Sequence, residues 1–192
     1  MRRENTSKII LVVVIAVVAI SLIGPYNSMV QLRNQVREQA SQIENVLQGR
    51  LEKIPDLVAN AKALMKHEEA VFTAVAEARN GLQNAINSKD MEQMADANEQ
   101  LTQALTSFNA VVEAYPELNS SQLFVGLADE ISGSVNRIQQ ERRLYNQVVT
   151  EYNNKLETFP TVLYAKMLGF RPAKYFQATE AAHQINVVNF GN

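Results

Sequence analysis

Counted in alternating steps of four and three from Phe124, the chain places Ala128, Ile131, Val135, Ile138, Arg142, Tyr145, Val149, Tyr152, Leu156 and Phe159 on one line, apolar except for Arg142. A mean period of 3.5 residues lays these side chains along one face of an α-helix and drives that face against other helices, whereas a strand requires a period of two. A second stripe runs through Leu32, Val36, Ala40, Ile43, Leu47, Leu51, Ile54, Val58, Ala61, Met65, Phe72, Val75, Leu82 and Ile86, interrupted by Glu68. A third joins Met91, Met94, Leu101, Leu105, Phe108, Val112 and Tyr115, with Asn98 in one slot. Gly (7) and Pro (5) are scarce in 192 residues, so little interrupts these periods. The expected fold is all-α, a coiled-coil-like antiparallel bundle of three to four long helices, in one domain over residues 26–168.

Turn chemistry sets the joints. Pro55 falls inside the second stripe, but "EKIPDLV" has no Gly or Ser with which to reverse direction, so the spacing predicts one helix over 26–87, kinked at Pro55. "NSKD" (87–90) makes a turn, and Asp90 caps a helix over 90–115. "YPELNSS" is a loop, after which Ser120 or Ser121 caps a helix over 121–159. A short helix over 161–168 stops at Gly169, a natural C′ residue. The tail, 169–192, contains the β-prone "INVVNF", expected to pack on the bundle or on a partner.

The first eight residues carry Arg2, Arg3 and Lys8, and no charge follows from Ile9 to Gly24. As a helix that run rises roughly 24 Å, a little short of a hydrocarbon core of about 30 Å. Tyr26 suits an interface and Lys8 can snorkel, so residues 9–25 are expected to be a transmembrane anchor. The rival is a cleaved signal, for which Ala19-Ile20-Ser21 is a weak cleavage site. More basic residues precede the run than follow it closely (Arg33 and Arg37), which favours the N-terminus inside and the domain outside a cell membrane. The chain has no Cys, which excludes disulfides, thiolate metal sites and a lipidated cysteine. With 18 basic and 20 acidic residues intermixed, it lacks the positive field that nucleic acid requires.

The pairs Tyr145-Asn146 and Tyr152-Asn153 repeat at seven residues. The tyrosines lie on the heptad seam with Phe124, Ile131, Val135, Ile138, Val149, Leu156 and Phe159, so the repeat reads first as packing. Each Asn lies about 100° around the helix, where its amide would meet a polar group on a neighbouring helix and fix register. The alternative is a sensor or ligand-binding bundle whose pocket these four residues line. Glu68, on the face of Met65 and Phe72, is expected to pair with Arg79 or Arg142 across the bundle.

Catalytic patterns are missing. "KHEEAV" lacks a second His four positions on, and the other histidine, His183, lies in the tail. No phosphate loop, serine elbow, EF-hand or inward Glu-x-x-His pair occurs, and Asp129 with Glu130 sits off the seam on a solvated face. Neither an enzyme nor a cofactor is expected. Lengths suggest a partner instead: the first helix would run roughly 90 Å while residues 91–115 return about 38 Å. Leu32, Val36, Ile43 and Leu47 would be left for a second copy or another membrane protein to cover.

In order along the chain, "YNSMVQLRNQV" (26–36), "LEKIPDLVANAK" (51–62), "HEEAVFTAVAEAR" (67–79), "YPEL" (115–118), "RRLYNQVVTEYN" (142–153), "FP" (159–160) and "GF" (169–170) make the chain resemble the LemA family of bacterial membrane-anchored helical proteins. The resemblance implies one N-terminal transmembrane helix, a long-helix bundle and no established catalytic activity. It also implies partnership with membrane proteins, membrane metallopeptidases among them. Gly49 before Arg50 departs from the family's bulky or basic residues there, at about 1 kcal/mol of helix stability.

Overall fold

In the computed structural model, which describes residues 2–179, the apolar periods become five α-helices: α1 (Arg2–Lys62), α2 (Glu69–Ser88), α3 (Met91–Val112), α4 (Pro116–Asn119) and α5 (Gln122–Glu157). A single 3-10 turn follows at Thr161–Leu163. The chain divides into two compact units, Gln39–Asn146 with Lys174–Asn192, and Met1–Glu38 with Gln147–Ala173. "INVVNF" lies outside the described residues.

The larger unit is a four-helix up-and-down bundle. α2 turns back along α1, bringing Lys89 to Glu44 as an ion pair and Arg79 to the Leu51 carbonyl. The αL residue Lys89 (φ 58°) reverses the chain, and the Asp90 carboxylate accepts from the amides of Glu92 (3.0 Å) and Gln93 (3.3 Å) to start α3. Phe108 of α3 stands 6.2 Å from Phe72 and 6.4 Å from Phe124, tying α2, α3 and α5 into one core. Ile43, Leu47, Leu51, Leu82, Met94 and Leu101 are fully buried there.

The single helix expected over 26–87 is two helices. An unbroken helix would carry Glu68 into the core with Met65 and Phe72, and burying an unpaired carboxylate costs more than the few backbone bonds lost at a break. α1 instead ends near Met65, whose amide bonds Ala61 O at 2.9 Å, and the reversal keeps Met65 and Phe72 buried while Glu68 stays half-buried. Pro55, by contrast, lies within α1. It has no N–H to give the carbonyl four residues back, that of Leu51, and the Arg79 guanidinium supplies the missing donor at 3.2 Å. Arg79→Ala is therefore expected to cost about 2 kcal/mol alone, and less than half of that in a Pro55→Ala background, where the restored amide serves Leu51. Denaturant midpoints of the four chains measure the coupling, and additive effects would refute it.

The smaller unit holds α1 as far as Glu38, the end of α5, and the turn that follows. Met29, Val36, Val149, Tyr152 and Leu156 form its core. The helix expected over 161–168 is instead a run of turns, with i→i+3 bonds from Leu163 to Pro160 (3.2 Å) and from Tyr164 to Thr161 (3.1 Å). Gly169 at φ +80° closes it, with its own amide on Lys166 O (3.2 Å) and that of Phe170 on Ala165 O (3.0 Å), a Schellman arrangement that only glycine adopts without strain. Phe170 then turns inward, edge-on to Tyr26 at 5.8 Å and beneath Arg33 at 4.9 Å. Phe159, expected on the seam, is 76% exposed, because α5 ends at Glu157 and the heptad with it.

Two expectations about surfaces change. Val36, Ile43 and Leu47 are buried and Leu32 is half-buried within their own units, so this stripe is not a face waiting for a partner. α2 does not continue the first rod but folds back on α1. Among the described residues, no helix is long and apolar enough to cross a membrane. The apolar run lies in α1, and the side chains of residues 9, 14, 15, 18 and 19 are outside those described.

Candidate functional site

The Tyr-Asn repeat faces the extended segment after Gly169. In the smaller unit, Asn153 Nδ2 donates to Ala173 O (3.0 Å) and its Oδ1 accepts from Ala173 N–H (2.8 Å). In the larger unit, Asn146 Nδ2 donates to Phe176 O (3.2 Å) and its Oδ1 accepts from Phe176 N–H (2.9 Å). Each side-chain amide satisfies both backbone groups of one residue, as a neighbouring strand would. The tyrosines act beside them. The Tyr145 hydroxyl donates to Lys174 O (2.8 Å), and the backbone of Arg171 bonds the Tyr152 oxygen.

Within each unit, then, the amide at the seam edge meets extended backbone, where a polar group on a neighbouring helix was expected.

Burial pushes the Tyr145 phenol up to about 12, and the nearby Asp90 charge adds to that rise. Burial also raises Tyr152, opposed by the charges of Arg33 and Arg37 and by the Arg171 backbone. In the larger unit the segment is pinned further at the start of α3. Lys174 Nζ meets Asp90 (2.9 Å) and Glu92 (3.1 Å), while Asp96 accepts from the amide (2.7 Å) and hydroxyl (3.2 Å) of Thr179. The Lys174 hydrogen bond, first among several causes, holds the Asp90 carboxyl below its ordinary range, and the same bond raises Lys174.

The charge pairing expected of Glu68 does not form. Glu68 accepts from the Tyr115 hydroxyl (2.9 Å), Arg79 serves Leu51, and Arg142 is exposed because its slot on α5 faces outward. That hydrogen bond raises Tyr115. On the seam itself Phe124, Ile131, Ile138, Tyr145, Val149, Tyr152 and Leu156 are buried, while Val135 is half-buried beside the buried Ser134, whose hydroxyl bonds Ile131 O.

The polar group that sequence reasoning passed over is Arg50. It is 2% exposed, and its Nη1 donates to Asn98 Oδ1 (2.8 Å) and Thr102 Oγ1 (3.1 Å) across to α3. Burial brings it down to about 10, against the partial opposition of the Glu99 charge. The signal was there as a pair: Arg50, three residues after Leu47 and four before Ile54 of the α1 stripe, and Asn98 as the polar slot in that of α3. No group of three or more metal-ligating side chains gathers among the described residues.

Comparison with known proteins gives the family. The family model described as LemA family matches residues 39–190, well over half of the chain. The protein LemA of Metamycoplasma hominis is 24% identical over 158 residues, covering 82% of this chain and 71% of that protein. The matched region takes in the bundle and the whole Tyr-Asn repeat with the segment it holds, and the chain belongs to the LemA family.

Proposed function

We propose that this chain is a membrane-anchored, non-enzymatic helical scaffold, held in a bacterial inner membrane by residues 9–25 and presenting its bundle to other membrane proteins. The observation that carries the reading is the apolar surface of α1. Ile10, Leu11, Val12 and Val13 follow one another at about 100° and so surround the helix, and all are more than half exposed, as are Val17, Ile20 and Ile23. A helix apolar on every side without protein cover belongs in lipid. The basic Arg2, Arg3 and Lys8 keep the N-terminus inside, leaving the bundle outside.

The Tyr-Asn repeat supports a scaffold over a ligand-binding bundle. Its amides and hydroxyls, the groups a pocket would present to a ligand, are turned to the chain's own backbone. Partners then meet surfaces other than the buried stripe of Val36, Ile43 and Leu47, and a membrane metallopeptidase is the class suggested by family resemblance.

Arginine at Val17 is expected to cost about 3 kcal/mol of insertion, and at both Val13 and Val17 about twice that, shifting the protein from the alkali-resistant membrane pellet to the supernatant. Retention of the double variant in the pellet would end the anchor. For the scaffold, photo-crosslinkers at exposed positions of α2, α3 and α5 in intact membranes, read by mass spectrometry, are expected to give discrete adducts to membrane proteins. Silence from every face of the anchored chain would contradict it.

A further inference from the structure

The turn between α5 and Gly169 exposes more apolar surface than a solvated loop tolerates. Phe159 (76%), Leu163 (67%), Met167 (86%) and Leu168 (50%) all face outward, with Val162 beside them. Polar loops ordinarily cover such turns, and a contiguous apolar patch marks an interaction surface.

Two features of the smaller unit identify what it meets. First, Tyr164 and Leu168 line one cavity of about 340 Å³ together with Leu22, Ile23 and Tyr26, the residues with which the apolar run of α1 ends. The turn therefore stands at the level where the proposed span leaves the hydrocarbon, and the Tyr164 hydroxyl is buried without a hydrogen-bond partner among the described residues. A second cavity, of about 650 Å³, opens on its other side between Leu156, Val162, Phe170 and Pro172. Second, from Thr158 to Thr179 the chain has no acidic residue, while Lys166 and Arg171 are exposed basic side chains within this unit. Apolar side chains rimmed by cations are the chemistry of a bilayer interface bearing anionic headgroups.

We propose that residues 159–169 form a second membrane contact, a turn that dips Leu163, Met167 and Leu168 into the interfacial layer beside the end of the α1 span. Lys166 and Arg171 meet lipid phosphates, and acyl chains enter the cavity beside Tyr164. The turn extends the apolar height of a span of roughly 24 Å, short of the usual hydrocarbon thickness of about 30 Å. This inference rests on the anchor proposed above.

The chain has no cysteine, so a single Met167→Cys variant of the full chain carries one environment-sensitive fluorophore at a site already exposed. It is reconstituted in nanodiscs of phosphatidylethanolamine and phosphatidylglycerol, with or without lipid bearing a spin label near the headgroup. The expected result is blue-shifted emission, loss of most of the fluorescence to the spin-labelled lipid, and protection from aqueous iodide. A parallel Val13→Cys label, read with lipid spin-labelled deep in the chain, reports the anchor alone. If Val13 is quenched by lipid while Met167 is quenched by iodide, the turn does not enter the membrane and the anchor stands. If lipid quenches neither, the anchor is wrong and this inference falls with it.

Discussion

Alanine at both Asn146 and Asn153 will release the segment 171–179 from α5 while α2 and α3 stay folded. The two amides make four hydrogen bonds to the backbone of Ala173 and Phe176. At about 1 kcal/mol each, together they are worth about 4 kcal/mol, close to the whole stability of a marginal domain. The loss is local, since the segment adds no helix of its own and its further ties include Tyr145, Tyr152 and the contacts of Lys174 and Thr179. It therefore appears as local opening instead of global unfolding. Hydrogen exchange resolves this directly: the amides of Ala173 and Phe176 lose protection in the double variant, and those within α3 keep theirs. Asn153→Asp is intermediate, because a carboxylate still accepts from Ala173 N–H but repels its carbonyl. Unchanged protection at both amides would mean that packing of Phe170 and Phe176 holds the segment and the clamps are incidental.

What was legible in the sequence follows from what a period can encode. Helix α3 and its Asp90 cap, the turn at "NSKD" and the closure at Gly169 are each set by a local rule, a stripe or a special backbone angle, and such rules need no knowledge of the neighbours. The break after Lys62 is not local. There Glu68 meets the Tyr115 hydroxyl forty-seven residues away, and "AKALMKHEE" contains neither glycine nor proline to announce it. Missing that break made the first helix too long and left Ile43 and Leu47 without cover, when α2 folding back on α1 was the missing piece. The Tyr-Asn pairs were recognisable as a seam with a polar edge. Their partner was not, because extended backbone carries no periodic side-chain signal that points to a helix. Arg79 is a similar case: Pro55 announces that the Leu51 carbonyl lacks a donor, but only the fold shows which residue arrives.

Arg50 gives the largest single-residue effect expected in the bundle. Arg50→Ala removes buried methylenes worth about 0.8 kcal/mol each and leaves Asn98 Oδ1 without its donor, for a total of about 3–5 kcal/mol. Arg50→Met keeps most of the volume and discards a charge that is costly to bury, its Nε having no partner among the described residues, so it should lose only about 1–2 kcal/mol, the orphaned Asn98. Denaturant unfolding of the wild type, Arg50→Ala and Arg50→Met measures all three stabilities, with the methionine variant expected to lie well above the alanine one. An Arg50→Ala loss no larger than that of Arg50→Met would mean that neither the buried stem nor its volume matters, and would overturn the reading of Arg50 as a packed polar crossing between α1 and α3.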